Sequence, residues 1–289
     1  GPFGSDPVLD PVARKELVNV FKSMGTVPAV TFLEKMNAWD AKRVATYDFD
    51  LRLGGYAELA QSKLDTENLV PLSYQALMDM HDSEYPIRTA AFSMLVDSVV
   101  LRSLSDSDVL HRCLLSVLMP GIRDGFKAKD PQIRRGFIRL LDEVVKNSAN
   151  WQGESVSVRQ MLYVDLEQVI ERQDPEKDFF VNLNHSQIHR RVRALKRVRK
   201  NLETFKFSTK TLVDILLPIA SHALYESKKT TEQQFQEEGI ALISSISQYL
   251  PWSHYSNLLC RTLESIPSNK EIEKKLIRTA CLIVDKFHF

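Results

Sequence analysis

Cysteine is scarce in this chain: Cys113, Cys260 and Cys281 are the whole complement in 289 residues. Their wide separation excludes a zinc ribbon and a disulfide framework. Each falls in an apolar helical pattern, so they read as buried thiols of a protein kept in a reducing compartment. Long apolar runs are also missing. The stretch 212–224 is interrupted by Asp214, Pro218 and His222 and is far shorter than the roughly 20 residues of a bilayer crossing, so no membrane contact is expected. Charge of one sign is absent too, since 38 Lys and Arg face 37 Asp and Glu. That balance excludes a global field aimed at nucleic acid and leaves only local clusters to argue from. The glycines build no phosphate cradle, because Gly-x-x-x-x-Gly-Lys, Gly-x-Gly-x-x-Gly and Gly-x-Ser-x-Gly do not occur. His185 and His189 are four apart, but no third or fourth ligand and no His-Glu-x-x-His accompany them. No metal, no cofactor, no small-molecule substrate and no enzymatic activity are therefore expected. Strand signals fail as well, and the single Asp-Gly pair, Asp124-Gly125, joins no alternating runs.

What is present is a pattern that returns three times. Leu51-Arg52-Leu53-Gly54 leads to Leu59, Ile87-Arg88-Thr89-Ala90 to Leu95, and Ile133-Arg134-Arg135-Gly136 to Leu141. The copies are 36 and 46 residues apart, around the period of roughly 40 to 47 residues that stacked helical pairs of the HEAT type show. In each copy the small residue is expected where a neighbouring helix crosses. The arginine is expected to lay its stem along the helix and reach a carboxylate or carbonyl of the adjacent repeat.

Helical periods and breaks continue along the chain. Asp10-Pro11 is a helix start, with Val12, Leu17, Val20 and Phe21 following. Helices are expected near 51–64 and 71–80, from Tyr85-Pro86, from Ser107 or Asp108 to a stop at Pro120-Gly121, and from Asp130-Pro131. The last is to pair with 157–170. After an irregular connection near 171–185, further helices are expected at about 186–202, 208–225, 232–250, 252–263 and 268–286, with a kink at Pro218. The fold class is all-α, an α-solenoid of stacked helical pairs with HEAT-like or armadillo-like repeats and about six to seven pairs. Residues 1–5, Gly-Pro-Phe-Gly-Ser, read as a tag remnant. Residues 6–289 are expected to form a single continuous solenoid segment of a larger protein, with apolar surface exposed at its ends.

The densest chemistry lies between His189 and Lys200, where seven Lys or Arg occur without one acid. At roughly 100° per residue, Ile188, Val192, Leu195, Val198 and Leu202 share one face. His189, Arg190, Arg193, Lys196, Arg197 and Lys200 cover the other. Arg191 and Arg199 fall beside the apolar stripe and are expected to be partly buried and paired, with Asp174, Glu176 and Asp178 as the nearest source of carboxylates. The six outward residues are candidates for contact with an RNA backbone or a protein partner, since closely spaced cations release counterions from phosphate without reading sequence. A solvated face and a nuclear import signal at 196–200 are the other readings of the same charges.

The run Asp174-Pro175-Glu176-x-Asp178-Phe179-Phe180 and then His185-x-x-x-His189-Arg190-Arg191-x-Arg193-Ala194-Leu195 resembles the large HEAT-repeat scaffold family of the small-subunit processome. That family is component twenty of the U three nucleolar complex, also called the down-regulated-in-metastasis family; Asp50-Leu51-Arg52-Leu53 supports the resemblance. It implies a non-enzymatic scaffold in ribosome biogenesis, located in the nucleus and nucleolus. Such a scaffold would support pre-rRNA processing and 40S subunit assembly by binding pre-ribosomal RNA or the U three small nucleolar RNA and other processome proteins. The alternative reading, second to this one, is a HEAT-repeat protein-binding adaptor of the nuclear transport receptor or phosphatase scaffold type, unrelated to ribosomes.

Overall fold

The computed structural model describes residue 16 and residues 18–20, 22–23, 27–40, 46–151, 153–226 and 232–287. The tag remnant at 1–5 and the helix start at Asp10-Pro11 lie outside the described residues. Among those described there is no strand, only an isolated antiparallel bridge between Trp39 and Tyr47. The all-α, stacked-helix class is what they form. The chain divides into two compact units, Gly1–Trp151 and Gln152–Phe289.

In the first unit, α1 (Val27–Met36), α2 (Phe49–Ala60), α3 (Thr66–Asp79) and α4 (Tyr85–Met94) follow one another; α4 runs on as a wide-turn segment, Leu95–Leu101. A second wide-turn segment, Val109–Leu118, continues into α5 (Met119–Gly125), and α6 is Pro131–Lys146. The helix α1 packs on α2 and α3, α2 on α4, α3 on α4 and on Val109–Leu118, and α5 on α6. Helices near in sequence thus pack on one another, several of them on the next but one, which is the packing of stacked pairs. In α6 the period of 3.6 buries Phe137, Leu140, Leu141, Val144 and Val145 completely, while Ile133 is half-buried.

The second unit holds α7 (Val156–Met161), a tight segment Val164–Val169, α8 (Phe179–Leu183) and α9 (Ile188–Asn201). After them come α10 (Thr209–Thr211), a wide-turn segment Leu212–Leu216 and α11 (Leu217–Glu226) as one run, then α12 (Gln233–Ser247), α13 (Trp252–Ser265) and α14 (Glu273–Lys286). The helix α12 is central to this unit, packing on α9, α11 and α14.

Capping fixes where the repeated helices begin. Asp48, Glu84 and Asp130 are the N-cap residues of α2, α4 and α6, and each stands four residues before the repeated arginine. The side chains of Asp48 and Asp130 accept the N–H of Leu51 and Gln132 at 2.9 and 2.7 Å, bonds worth about 1 kcal/mol each. An acid at the cap and an arginine one turn later are therefore part of the same repeat.

The arginines do two different things. Arg52 is buried. Its Nε donates to the Met36 carbonyl at 2.9 Å, and its Nη2 reaches Asp79 at 3.0 Å and Asp82 at 2.8 Å, beyond its own helix as expected. Burial opposes its charge, yet Asp79 and Asp82 together outweigh that and raise its pKa. Arg88 and Arg134 instead turn back on the loop before their own helix, donating to the carbonyls of Asp82 and Ser83 and of Ala128 and Lys129. These carbonyls stand six and five residues upstream of the arginine in both copies. Arg88 reaches the next copy through a long bond to Gln132 at 3.4 Å. For Arg134, burial pushes the pKa down to about 10.

The crossing glycine also differs from expectation. A Cβ on Gly54 would meet nothing within 4 Å, whereas one on Gly55 would lie 3.0 Å from the Lys35 Cβ. The close approach falls one residue later because Gly55, not Gly54, is on the buried face. The expected stop at Pro120-Gly121 is replaced by continuation to Gly125, and Pro218 likewise sits inside a continuous run. In both places a wide-turn segment immediately precedes the proline. A widened turn gives the ring room against the preceding carbonyl and absorbs the missing N–H, so the helix need not end.

The expected partner helix at 157–170 breaks in two at Tyr163, whose φ of 52° and ψ of 38° are left-handed. Tertiary bonds hold this costly conformation. The Tyr163 hydroxyl donates to Asp214 at 2.9 Å, and Asp165 accepts the Ser208 N–H at 2.7 Å and the hydroxyl of Thr211. Of the cysteines only Cys113 is buried, and Cys260 and Cys281 are exposed. They lie on the solvent sides of α13 and α14, where Leu263, Ile277 and Val284 are exposed as well. Val20 is another apolar residue facing solvent.

Candidate nucleic-acid interface

The basic segment forms α9 as its periodicity requires. Val192, Ala194, Leu195 and Val198 are buried, Leu202 just beyond the helix is buried, and Ile188 is half-buried. This face rests on α12 and α8. No residue of α9 is acidic, and Arg199 and Lys200 sit in its last turn, where the helix dipole favours cations. At its start Gln187 offers no capping side chain, but the Gln187 N–H donates to His185 Nδ1 at 3.0 Å. Partial burial, then the charges of Arg190 and His189, lower the His185 pKa and so favour the neutral ring that this bond needs.

The six candidate residues fall into two groups. Arg190 and Arg193 are engaged: their guanidinium groups converge on the Glu176 carboxylate at 3.0 and 2.7 Å. Arg190 also donates to Asn182 Oδ1 at 3.0 Å and to the Pro175 carbonyl at 3.2 Å, and Arg193 donates to the Glu176 carbonyl at 3.2 Å. The bond from Arg193, then the charge of Arg190, lowers the Glu176 pKa. His189, Lys196 and Lys200 are exposed and Arg197 is half-buried. Among the described residues Lys196, Arg197 and Lys200 form no ion pair, and the Arg197 Nε is buried without a hydrogen-bond partner. Three cations over two turns are thus left for an outside anion.

The two arginines beside the apolar stripe are held, but not by the upstream acids. Arg199 pairs with Glu238 at 2.6 Å and Arg191 lies over the Phe235 ring at 4.9 Å, both on α12. The acids are committed elsewhere: Asp174 to Lys177 at 2.9 Å, Glu176 to Arg190 and Arg193, and Asp178 to capping α8 through the Val181 N–H at 2.9 Å. Each guanidinium meets whatever its direction from the helix brings nearest, and Arg191 and Arg199 point at α12.

Sequence reasoning missed Asn182, which is almost wholly buried and ties the 174–178 loop down. Its Nδ2 donates to the carbonyls of Glu176 and Asp178 at 3.0 and 2.7 Å while its Oδ1 accepts from Arg190. An Asn between Phe179-Phe180 and Leu183, inside an apolar run, is the signal that marked it.

These features define a helical-repeat protein with one cationic helix face. The family resemblance is borne out by similarity along nearly the whole chain. A family described as U3 small nucleolar RNA-associated protein 20, N-terminal, matches residues 7–130, upstream of the segment that carried the resemblance. The U3 small nucleolar RNA-associated protein 20 of Schizosaccharomyces pombe is 24% identical over 96% of this chain, and its namesake in Saccharomyces cerevisiae is 23% identical over 92%. The chain spans 11% of the length of either relative.

Proposed function

We propose that this chain is part of a structural scaffold in ribosome biogenesis, a component of the small-subunit processome that supports pre-rRNA processing and 40S subunit assembly. The proteins it resembles are named for association with the U3 small nucleolar RNA. On this reading the chain works in the nucleolus, without catalysis, by holding RNA and neighbouring proteins. Residues 6–289 act as one continuous segment of a longer solenoid. The helix α9 is the RNA-facing element, with His189, Lys196, Arg197 and Lys200 toward the phosphate backbone and Arg190 and Arg193 beside them. The observation that carries it is the cluster of Lys196, Arg197 and Lys200, unpaired among the described residues on an otherwise charge-balanced chain. Unpaired, closely spaced cations lose no internal bond when they meet phosphate, and each neutralised phosphate adds to affinity and to salt dependence.

The test is binding of single-stranded and structured RNA by the chain and by a triple variant, Lys196→Glu, Arg197→Glu and Lys200→Glu. The expected result is an affinity that falls steeply with salt and is abolished in the variant at unchanged helicity. Binding unaffected by the triple change removes α9 from the RNA surface. For the cellular part, RNA crosslinks of the tagged full-length parent should map to 185–202 in nucleolar material.

A further inference from the structure

The five Lys and Arg on the outer side of α9 differ in what holds them: three wait for an anion, while two already have one. We propose that Glu176 is an internal phosphate surrogate. Its carboxylate occupies the place on Arg190 and Arg193 that an RNA backbone phosphate takes, so the surface has a latched form presenting Lys196, Arg197 and Lys200 and an unlatched form that adds the two arginines. The inference rests on the RNA-contact reading and concerns regulation of that same surface.

The geometry supports exchange of the carboxylate for phosphate. Two guanidinium donors converge on one anionic group at 3.0 and 2.7 Å, an arrangement that a phosphate satisfies with more acceptor oxygens. The Glu176 side chain is 62% exposed and that of Arg193 49%, so the pair is open to solvent and adds little to folding. Its release leaves the fold intact. The loop does not depend on the carboxylate, because Asn182 grips the backbone carbonyls of Glu176 and Asp178 and Arg190 grips that of Pro175. The Arg190 side chain is only 14% exposed and is fixed by Asn182, so its outer nitrogen stays aimed at the same point when Glu176 swings away. A preformed arginine pair with a removable plug is the consequence.

The experiment measures binding of a single-stranded RNA oligonucleotide to the wild-type chain, Glu176→Gln and Glu264→Gln at two salt concentrations fourfold apart. Glu264 is an exposed acid on α13, so its variant changes net charge equally without touching α9. Glu176→Gln is expected to bind more tightly than both. Its gain should be larger at the lower salt by about three- to sevenfold, the effect of one or two further phosphates at roughly 0.7 counterion each. If wild type binds and the two variants behave alike, the latch is refuted and the RNA-contact reading stands. If no form binds RNA, that reading fails and the latch with it. Binding by Glu176→Gln alone supports the latch most directly. Unchanged circular dichroism of Glu176→Gln shows that the comparison is between folded proteins.

Discussion

Arg52 and Arg88 hold the same place in the repeat, yet their removal should differ by several kcal/mol. Truncating Arg52 to Ala takes the guanidinium away from Asp79, a fully buried carboxylate that also accepts from the Tyr56 hydroxyl at 2.8 Å. Breaking a buried pair in this way costs about 3–5 kcal/mol. Arg88→Ala frees the carbonyls of Asp82 and Ser83, in a loop that reaches solvent, and should cost about 1 kcal/mol. Thermal or urea unfolding followed by circular dichroism ranks the two, and equal losses would show that the Asp79 charge is not stabilised through Arg52. The cysteines give a second contrast at this scale. Burial pushes the Cys113 thiol up to about 11, so at neutral pH it is neither accessible nor ionised. A maleimide should modify Cys260 and Cys281, both exposed, and reach Cys113 only on unfolding. Peptide mapping after a timed reaction reads this directly.

At the scale of elements, the sequence made the amphipathic helices readable because a single period of 3.6 decides their buried face. Thus Val192, Leu195 and Val198 of α9 and Phe137, Leu140, Leu141, Val144 and Val145 of α6 are buried where periodicity puts them. What it hid depends on contacts distant along the chain. The break at Tyr163 is set by Asp214, about fifty residues on, and the partner of Arg199 is Glu238 on α12 rather than an acid nearby in sequence. The outward face of α9 was legible as charge, but its division into paired and unpaired cations was not, because that depends on where Asn182 folds the 174–178 loop. The same loop and the start of α9 give a pH prediction in two stages. The folded pKa of His185 is below its ordinary 6.5, so its bond from Gln187 is intact above that value and is lost as the pH falls through the lowered pKa. The pKa of Glu176 is below its ordinary 4.5, so its contribution is complete above 4.5 and is lost only in stronger acid. The protection of the first-turn amides of α9, taken relative to their intrinsic exchange rates at each pH, should fall on mild acidification, before the Arg193 side chain is released. Release of both together would show that His185 does not secure the helix start.

For the whole molecule, stacked helices transmit a local loss only through the neighbours they touch, so the reach of a perturbation is a property of the fold rather than of the residue changed. Arg52 joins α2 to the end of α1 through the Met36 carbonyl and to the end of α3 through Asp79 and Asp82. Of these, α2 and α3 pack on α4, and α3 packs on the Val109–Leu118 segment. The corresponding organising contacts of the second unit are separate: Arg199 with Glu238, Tyr163 with Asp214, and the close approach of Gly239 to α11, where a Cβ would lie 2.7 Å from that of Ala223. None of them shares a residue with the Arg52 cluster. Arg52→Ala should therefore speed amide exchange throughout α1 to α4 and along Val109–Leu118, while the slowest amides of α12 keep their wild-type rates. Exchange followed by mass spectrometry at peptide resolution makes the comparison within one sample. Equal acceleration in α12 would mean that the chain opens as one cooperative body, and stability would then have to be assigned to the 289 residues together rather than repeat by repeat.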